Sequence, residues 1–213
     1  MEHVDGILFD LDGTLWDAVA GICTAWNRGL EKCGVPLHFA EEEIRGCMGM
    51  LLEDIAAKLM PDLTPERRSE VMAVCAAEQA DYLARHGGTL YDGVEDTLKK
   101  LAARCPLFIV SNCQSGYIEG FLAVTGLGQY FTDFTCPGET GRPKGENIAL
   151  LVERHRLKHP VYVGDTQGDC NAASSAGVPF LHAAYGFGTI DHDVPFVEKF
   201  TDLPTAVDRM GPL

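Results

Sequence analysis

The sequence predicts an α/β protein built on a parallel sheet, with a helical unit inserted near its start. Three short apolar runs, at residues 6–9, 107–110 and 161–163, alternate with stretches of helical periodicity. A long stretch after the first run carries helical patterns and no strand pattern. Each apolar run ends in a cluster of polar residues.

Short apolar runs bounded by turn residues fit strands buried on both faces. The first is Gly6-Ile7-Leu8-Phe9. Helices are then expected over 18–32, 41–47, 52–58 and 65–85. Breaks fall at Gly34-Val35-Pro36 and Met60-Pro61-Asp62. Pro65 suits a first helical position, with Thr64 as its N-cap. So many residues in one connection imply an inserted domain over 17–87, with 1–16 and 88–213 forming the core. Alternation resumes with a helix over 94–104, where Leu98 and Leu101 share a face. A strand at 107–110 and a helix near 116–124 follow. A helix over 147–156 comes next, with Ile148, Leu151 and Val152 in register. A strand at 161–163 and a weaker one at Phe180-Leu181 complete the pattern.

Composition narrows the partners. The 213 residues carry a formal net charge of -14, with 46% hydrophobic and 23% charged residues. Such a chain lacks the basic surface that nucleic acid or an anionic membrane needs. It can still take a small anion, because one metal ion and a few placed cations reverse the field inside a cleft. None of the eight cysteines falls in C-x-x-C spacing. Reduced thiols in a cytoplasmic protein are the expectation. The opening MEHVDGILFD has no basic region or long apolar run, and is expected to be neither a signal peptide nor an anchor. The seven histidines show no metal-ligand spacing.

The polar clusters carry the chemistry. The first strand runs into Asp10-Leu11-Asp12-Gly13-Thr14, the second into Ser111-Asn112, the third into Gly164-Asp165-Thr166-Gln167-Gly168-Asp169. In a parallel sheet all three emerge at the carboxyl edge, where open α/β folds bind ligands. Asp10 and Asp165 then stand side by side and repel unless a cation or proton lies between them. A hard divalent ion, magnesium above all, answers that need. Ser111 and Asn112 offer donors to a phosphoryl oxygen, and Lys144 offers fixed positive charge.

These residues resemble the haloacid dehalogenase (HAD) superfamily in order and spacing. FDLDGTL at 9–15 looks like its first motif, Ser111-Asn112 the second, Lys144 the third and GDTQGD at 164–169 the fourth. The helical insert resembles the cap of the subgroup with phosphoglycolate phosphatases and β-phosphoglucomutases. The resemblance implies a Rossmann-like, doubly wound core and a small phosphorylated metabolite as substrate. It implies Asp10 as nucleophile, forming an aspartyl-phosphate, and Asp12 as general acid and base. Mg2+ would be held by Asp10, the Asp12 carbonyl and Asp165. Asp169 would orient a metal-bound water or support Lys144. Thr14 would help shape the phosphate site. In many relatives the third-motif lysine directly precedes a proline; here Arg142-Pro143 occupies that dipeptide, so Arg142 competes with Lys144. Arg45, in the cap, either grips a second anionic group or is a solvated helix residue. A monomer or a homodimer fits.

Alternatives turn on single residues. A haloacid dehalogenase does not need the second aspartate, yet Asp12 is present. A phosphonoacetaldehyde hydrolase replaces that aspartate. A β-phosphoglucomutase carries a histidine early in its cap, where this chain has Ala20-Gly21-Ile22. An idle phosphate-binding protein on this fold is opposed by the intact set Asp10, Asp12, Asp165 and Asp169.

Overall fold

The computed structural model describes residues 3–210. Strand β1 (Gly6–Phe9) is buried throughout and forms the middle of a six-stranded sheet. Next come β2 (Trp16–Asp17) and four helices: α1 (Val19–Lys32), α2 (Glu41–Arg45), α3 (Leu52–Leu59) and α4 (Pro65–His86). The chain returns through β3 (Thr89–Leu90), then runs α5 (Val94–Ala102), β4 (Leu107–Val110), α6 (Tyr117–Thr125) and β5 (Asp133–Thr135). The rest is α7 (Pro137–Thr140), α8 (Lys144–His155), β6 (Pro160–Gly164), α9 (Gln167–Ser175), β7 (Phe180–Ala183), β8 (Phe196–Val197) and α10 (Leu203–Arg209).

The sheet order is β5-β4-β1-β6-β7-β8, and every adjacent pair is parallel. The chain winds outward from β1 through β4 to β5, then starts again on the other side at β6. This is a doubly wound, Rossmann-like sheet, and its winding reverses at β1. Ligand crevices open at the carboxyl ends of the strands at such a switch point.

Side chains alternate across each strand and build two cores. Ile7, Phe9, Leu107, Ile109, Val161 and Val163 face one side and join the apolar faces of α1 and α4. Leu8, Phe108, Val110 and Tyr162 face the other, under Ile148 and Leu151 of α8 and Ala173 of α9. Two-sided burial explains why the inner strands read as unbroken apolar runs.

The segment between β2 and β3 is held by α1 against α4, where Trp26 Nε1 donates to Gln79 Oε1 at 2.6 Å. Thr64 caps α4 as expected, accepting from the Arg67 amide at 3.3 Å. Helix α2 stops two residues before its expected end, at Arg45. Helix α8 begins at Lys144, three residues before its expected start, because Pro143 supplies an extended N-cap. Strands β5 and β8 and the antiparallel pair β2–β3 were not expected. β5 and β8 are short and partly exposed, and β2–β3 rests on a long-range pairing, Asp17 with Thr89.

Candidate active site

The carboxyl ends of β1 and β6 place Asp10 and Asp165 side by side, both buried. Asp169, in the first turn of α9, joins them. One carboxylate oxygen from each lies within 4.8 Å of the others, the one group of this kind among the described residues. Lys144, at the start of α8 and 5% exposed, enters from the neighbouring helix. Its Nζ donates to Asp10 Oδ1 at 2.8 Å and to Asp169 Oδ1 at 2.5 Å. A lysine at a helix N-terminus faces the positive end of the helix dipole, which opposes it. The two carboxylates offset that cost. Burial works against the Lys144 charge, but Asp10 and Asp169 outweigh it and hold the ammonium well above its usual range.

Asp169 is fully engaged. Its Oδ1 also accepts from the Tyr162 hydroxyl at 3.3 Å. Its Oδ2 accepts from Thr166 N at 2.9 Å and Thr166 Oγ1 at 2.7 Å. Thr166 is the N-cap of α9 and Asp169 closes the capping box, so a helix-capping residue also anchors Lys144. Burial pushes the Asp169 carboxyl up, yet Lys144 and Thr166 outweigh it and hold it low.

Asp165 has weaker support. Its Oδ1 accepts from Thr14 Oγ1 at 3.3 Å and its Oδ2 from the Phe187 amide at 2.7 Å. Burial, then the charges of Asp169 and Asp10, push its carboxyl up to about 8. Gly13 makes this approach possible. Its φ is +87°, and a Cβ there would stand 2.2 Å from Asp165 Oδ2. Burial also raises Asp10, to about 6, against the pull of Lys144.

Three buried carboxylates therefore stand around one ammonium that bonds Asp10 and Asp169, and all three cannot ionise together without further positive charge. A hard divalent cation with oxygen ligands supplies that charge, so the residues present fit one. Asp10 and Asp165 retain the capacity to hold it. The Asp12 carboxylate lies outside this group.

Asp12 sits two residues past β1 in different surroundings. Its Oδ1 accepts from Trp16 Nε1 at 2.9 Å and from the Tyr117 hydroxyl at 2.8 Å. Both bonds fall on Oδ1, which leaves Oδ2 for a proton. Burial raises its carboxyl to about 7, against the lowering effect of Tyr117.

The other expected residues are placed as follows. Ser111 is buried at the end of β4. Asn112 Nδ2 donates to the Gly49 carbonyl at 2.8 Å, which ties this loop to the segment between α2 and α3. Arg45 pairs with Asp17 at 3.0 Å, and its guanidinium carbon lies 4.9 Å from the centre of the Phe187 ring. It thus lies against Phe187, whose amide binds Asp165. Arg142 is exposed, so Lys144 is the cation buried among the carboxylates. All eight cysteines are free thiols.

Sequence reasoning missed the residues that hold the site. Trp16 directly follows the first motif and carried a signal by position. Tyr117 lies 105 residues from its partner Asp12 and carried none. In the loop after β7, the Phe187 amide binds Asp165.

This architecture and acidic switch-point crevice are those of a known class. The model for haloacid dehalogenase-like hydrolases matches residues 7–183, and the chain belongs to that family. It is 29% identical over 227 residues to a phosphoglycolate phosphatase of Vibrio cholerae, covering 100% of this chain and 96% of the relative. It is 30% identical over 207 residues to a phosphoglycolate phosphatase of Rhodobacter capsulatus, covering 92% of each. A haloacid dehalogenase-like family hydrolase from Streptococcus pneumoniae superposes with a TM-score of 0.82 at 24% identity, over 95% of this chain and 97% of that one. Within the family the chain is a hydrolase of the phosphatase type. No helix among the described residues is long and apolar enough to cross a membrane.

Proposed function

We propose that this phosphatase hydrolyses a small phosphate monoester, of the phosphoglycolate or sugar-phosphate kind, with Mg2+ and through an aspartyl-phosphate on Asp10. The observation that carries the reading is the contrast between two nearby carboxylates. Asp10 is paired with Lys144, whose charge and hydrogen bond favour its ionised form against the effect of burial. Asp12 has no ammonium partner; burial raises its carboxyl, and both of its hydrogen bonds fall on Oδ1. Environments that separate two acids in this way suit one to attack and the other to transfer protons.

An Asp10 oxygen attacks phosphorus, and the bond from phosphorus to the ester oxygen breaks. Asp12 gives its proton to the departing alkoxide, which leaves as the alcohol. Asp12 then takes a proton from water, whose oxygen bonds to phosphorus as the acyl-phosphate bond breaks. Phosphate leaves and Asp10 is restored. Lys144 offsets charge on the phosphoryl oxygens throughout. Ser111, Asn112 and Thr14 complete the phosphate site. Asp10, Asp165 and the Asp12 carbonyl would hold Mg2+, which would supply Lewis-acid stabilisation of the phosphoryl charge. Asp169 acts as a positioning residue on Lys144.

The helical segment 17–87 serves as a cap in this reading. One point of contact near the carboxylates is Gly49, whose carbonyl meets Asn112. At φ +82° a Cβ there would lie 3.2 Å from Thr166 Oγ1. Closure at this point excludes bulk water from the aspartyl-phosphate.

Phosphate release from p-nitrophenyl phosphate and a panel of small esters, with Mg2+ and with chelator, tests the reading. Mg2+-dependent release that disappears in Asp10→Asn is the expected result. Full activity in Asp10→Asn, or no release from any ester, would overturn it.

A further inference from the structure

On the phosphatase reading, the alcohol half of a monoester lies in the cavity beside Asp12, the proposed donor to the departing oxygen. Its volume of about 40 Å3 gives room for about three water-sized groups. The helical segment builds much of the wall, with Ile22, Met48, Met50 and Ile55 beside Trp26 and Gln79. Of the side chains that this segment contributes, only Trp26 and Gln79 carry a nitrogen or oxygen. No lysine, arginine or histidine lines the cavity.

Gln79 is 4% exposed and reaches the cavity from α4. The orientation of its amide is fixed. Trp26 Nε1 can only donate, so the atom that accepts from it at 2.6 Å is the oxygen, Oε1. Nε2 then carries two hydrogens, and among the described residues nothing accepts either of them. Nε2 is not sealed off. Asn112 Oδ1 is the one fully enclosed side-chain nitrogen or oxygen among the described residues that lacks a partner, so Nε2 keeps accessible surface. The bond between α1 and α4 thus accounts for one end of this side chain and leaves the other for the cavity. Two other polar side chains on the wall are committed: Asn112 Nδ2 to the Gly49 carbonyl and the Tyr117 hydroxyl to Asp12. Gln114, half-buried, stands where the cavity meets a wider cleft of about 800 Å3. A buried donor without a partner is costly, and an acceptor on a ligand removes that cost.

We infer that Gln79 is a specificity-determining residue of the helical segment: its Nε2 donates a hydrogen bond to an oxygen in the alcohol half of the substrate. The enzyme then prefers esters whose alcohol carries an acceptor oxygen over hydrocarbon esters of the same size. The inference rests on the phosphatase reading and deepens it. A hydroxyl, as in a polyol phosphate, and a carboxylate, as in phosphoglycolate, both supply such an oxygen, and an amide donor serves either.

Three esters test it: 2-hydroxyethyl phosphate and phosphoglycolate, which carry an acceptor, and propyl phosphate, which matches the first in size and carries none. Each is assayed for kcat/KM with Mg2+ on the full chain and on Gln79→Met. The parent is expected to favour at least one acceptor ester over propyl phosphate by about threefold or more, the scale of one hydrogen bond. Gln79→Met is expected to bring that ratio close to one. The ester that carries the preference identifies the acceptor as hydroxyl or carboxylate. Gln79→Met also deprives the Trp26 indole of its acceptor, so Gln79→Met combined with Trp26→Phe, which removes both partners, serves as the second variant. The ratio is expected to collapse there too. A residue that only held Trp26 would affect all three esters alike and leave the ratio unchanged. Ratios at or below one for both acceptor esters in the parent, or ratios unchanged in both variants, would overturn the inference and leave the phosphatase reading standing. Absence of release from all three and from p-nitrophenyl phosphate would overturn the phosphatase reading, and this inference with it.

Discussion

The Tyr117 hydroxyl donates to Asp12 Oδ1 at 2.8 Å, joining the first turn of α6 to the loop after β1. The bond favours the ionised carboxylate and so lowers the Asp12 pKa from where burial alone would set it. Tyr117→Phe removes the donor and raises that pKa. The limb of the pH profile on which Asp12 loses its proton should move to higher pH, with kcat reduced about three- to tenfold near neutrality. A pH–rate profile of the variant with p-nitrophenyl phosphate checks both.

Lys144 and Arg142 should differ sharply in what their loss does. Lys144→Met leaves Asp10 and Asp169 buried without their ammonium and is expected to cost about 3–5 kcal/mol of stability. Arg142→Ala removes an exposed side chain and should stay within about 0.5 kcal/mol of the parent. Urea unfolding of the two variants gives the comparison.

Asp10→Asn separates activity from stability. Turnover should fall on the order of 10³-fold or more, because the proposed nucleophile is gone. Stability without metal should hold or rise, since a buried charge facing Asp165 is removed and Lys144 keeps Asp169. Thermal unfolding beside single-turnover assays shows whether the two effects part in this way.

A divalent cation should stabilise the fold. Mg2+ at about 100 times its dissociation constant is expected to add about 2.7 kcal/mol, reversed by chelator. Asp165→Asn should abolish most of this response. Melting curves across a Mg2+ titration provide the test.

Asp133 gives a pH prediction away from the site. Burial raises its carboxyl, but bonds from His155 and Arg154 outweigh that and hold it below its ordinary 3.8. A depressed acid contributes stability above its unfolded pKa and loses it as pH falls through the folded value. The parent should therefore lose more stability than Asp133→Asn as pH is lowered from about 5 to 3. Denaturant midpoints across that range check the sign.

How far the sequence could be read follows from which signals are local. β1, β4 and β6 were legible because they are covered on both faces and consist of unbroken apolar runs. β5, with Asp133 and Thr135 around Phe134, has no such run, and the pairing of Asp17 with Thr89 is invisible without the fold. Asp10, Asp12, Asp165 and Asp169 stood out as polar residues just past apolar strands. Tyr162 did not, because a tyrosine inside a buried strand reads as packing, yet its hydroxyl reaches Asp169. The orphaned oxygen of Asn112 has no sequence signature, since it depends on which neighbour its amide group has already met.

The short ribbon of β2 and β3 has a consequence for how this chain can change. Asp17 lies opposite Thr89, so the polypeptide departs toward the helices and comes back at nearly the same point. Such a segment is a cassette in the engineer's sense. It could be exchanged for another helical segment of different length that presents the same apolar face, with little strain passed to the sheet. The proposed catalytic carboxylates would remain on one side of that ribbon and the helical segment on the other. Selectivity could then be redrawn by recombination across two adjoining residues, leaving the catalytic carboxylates untouched.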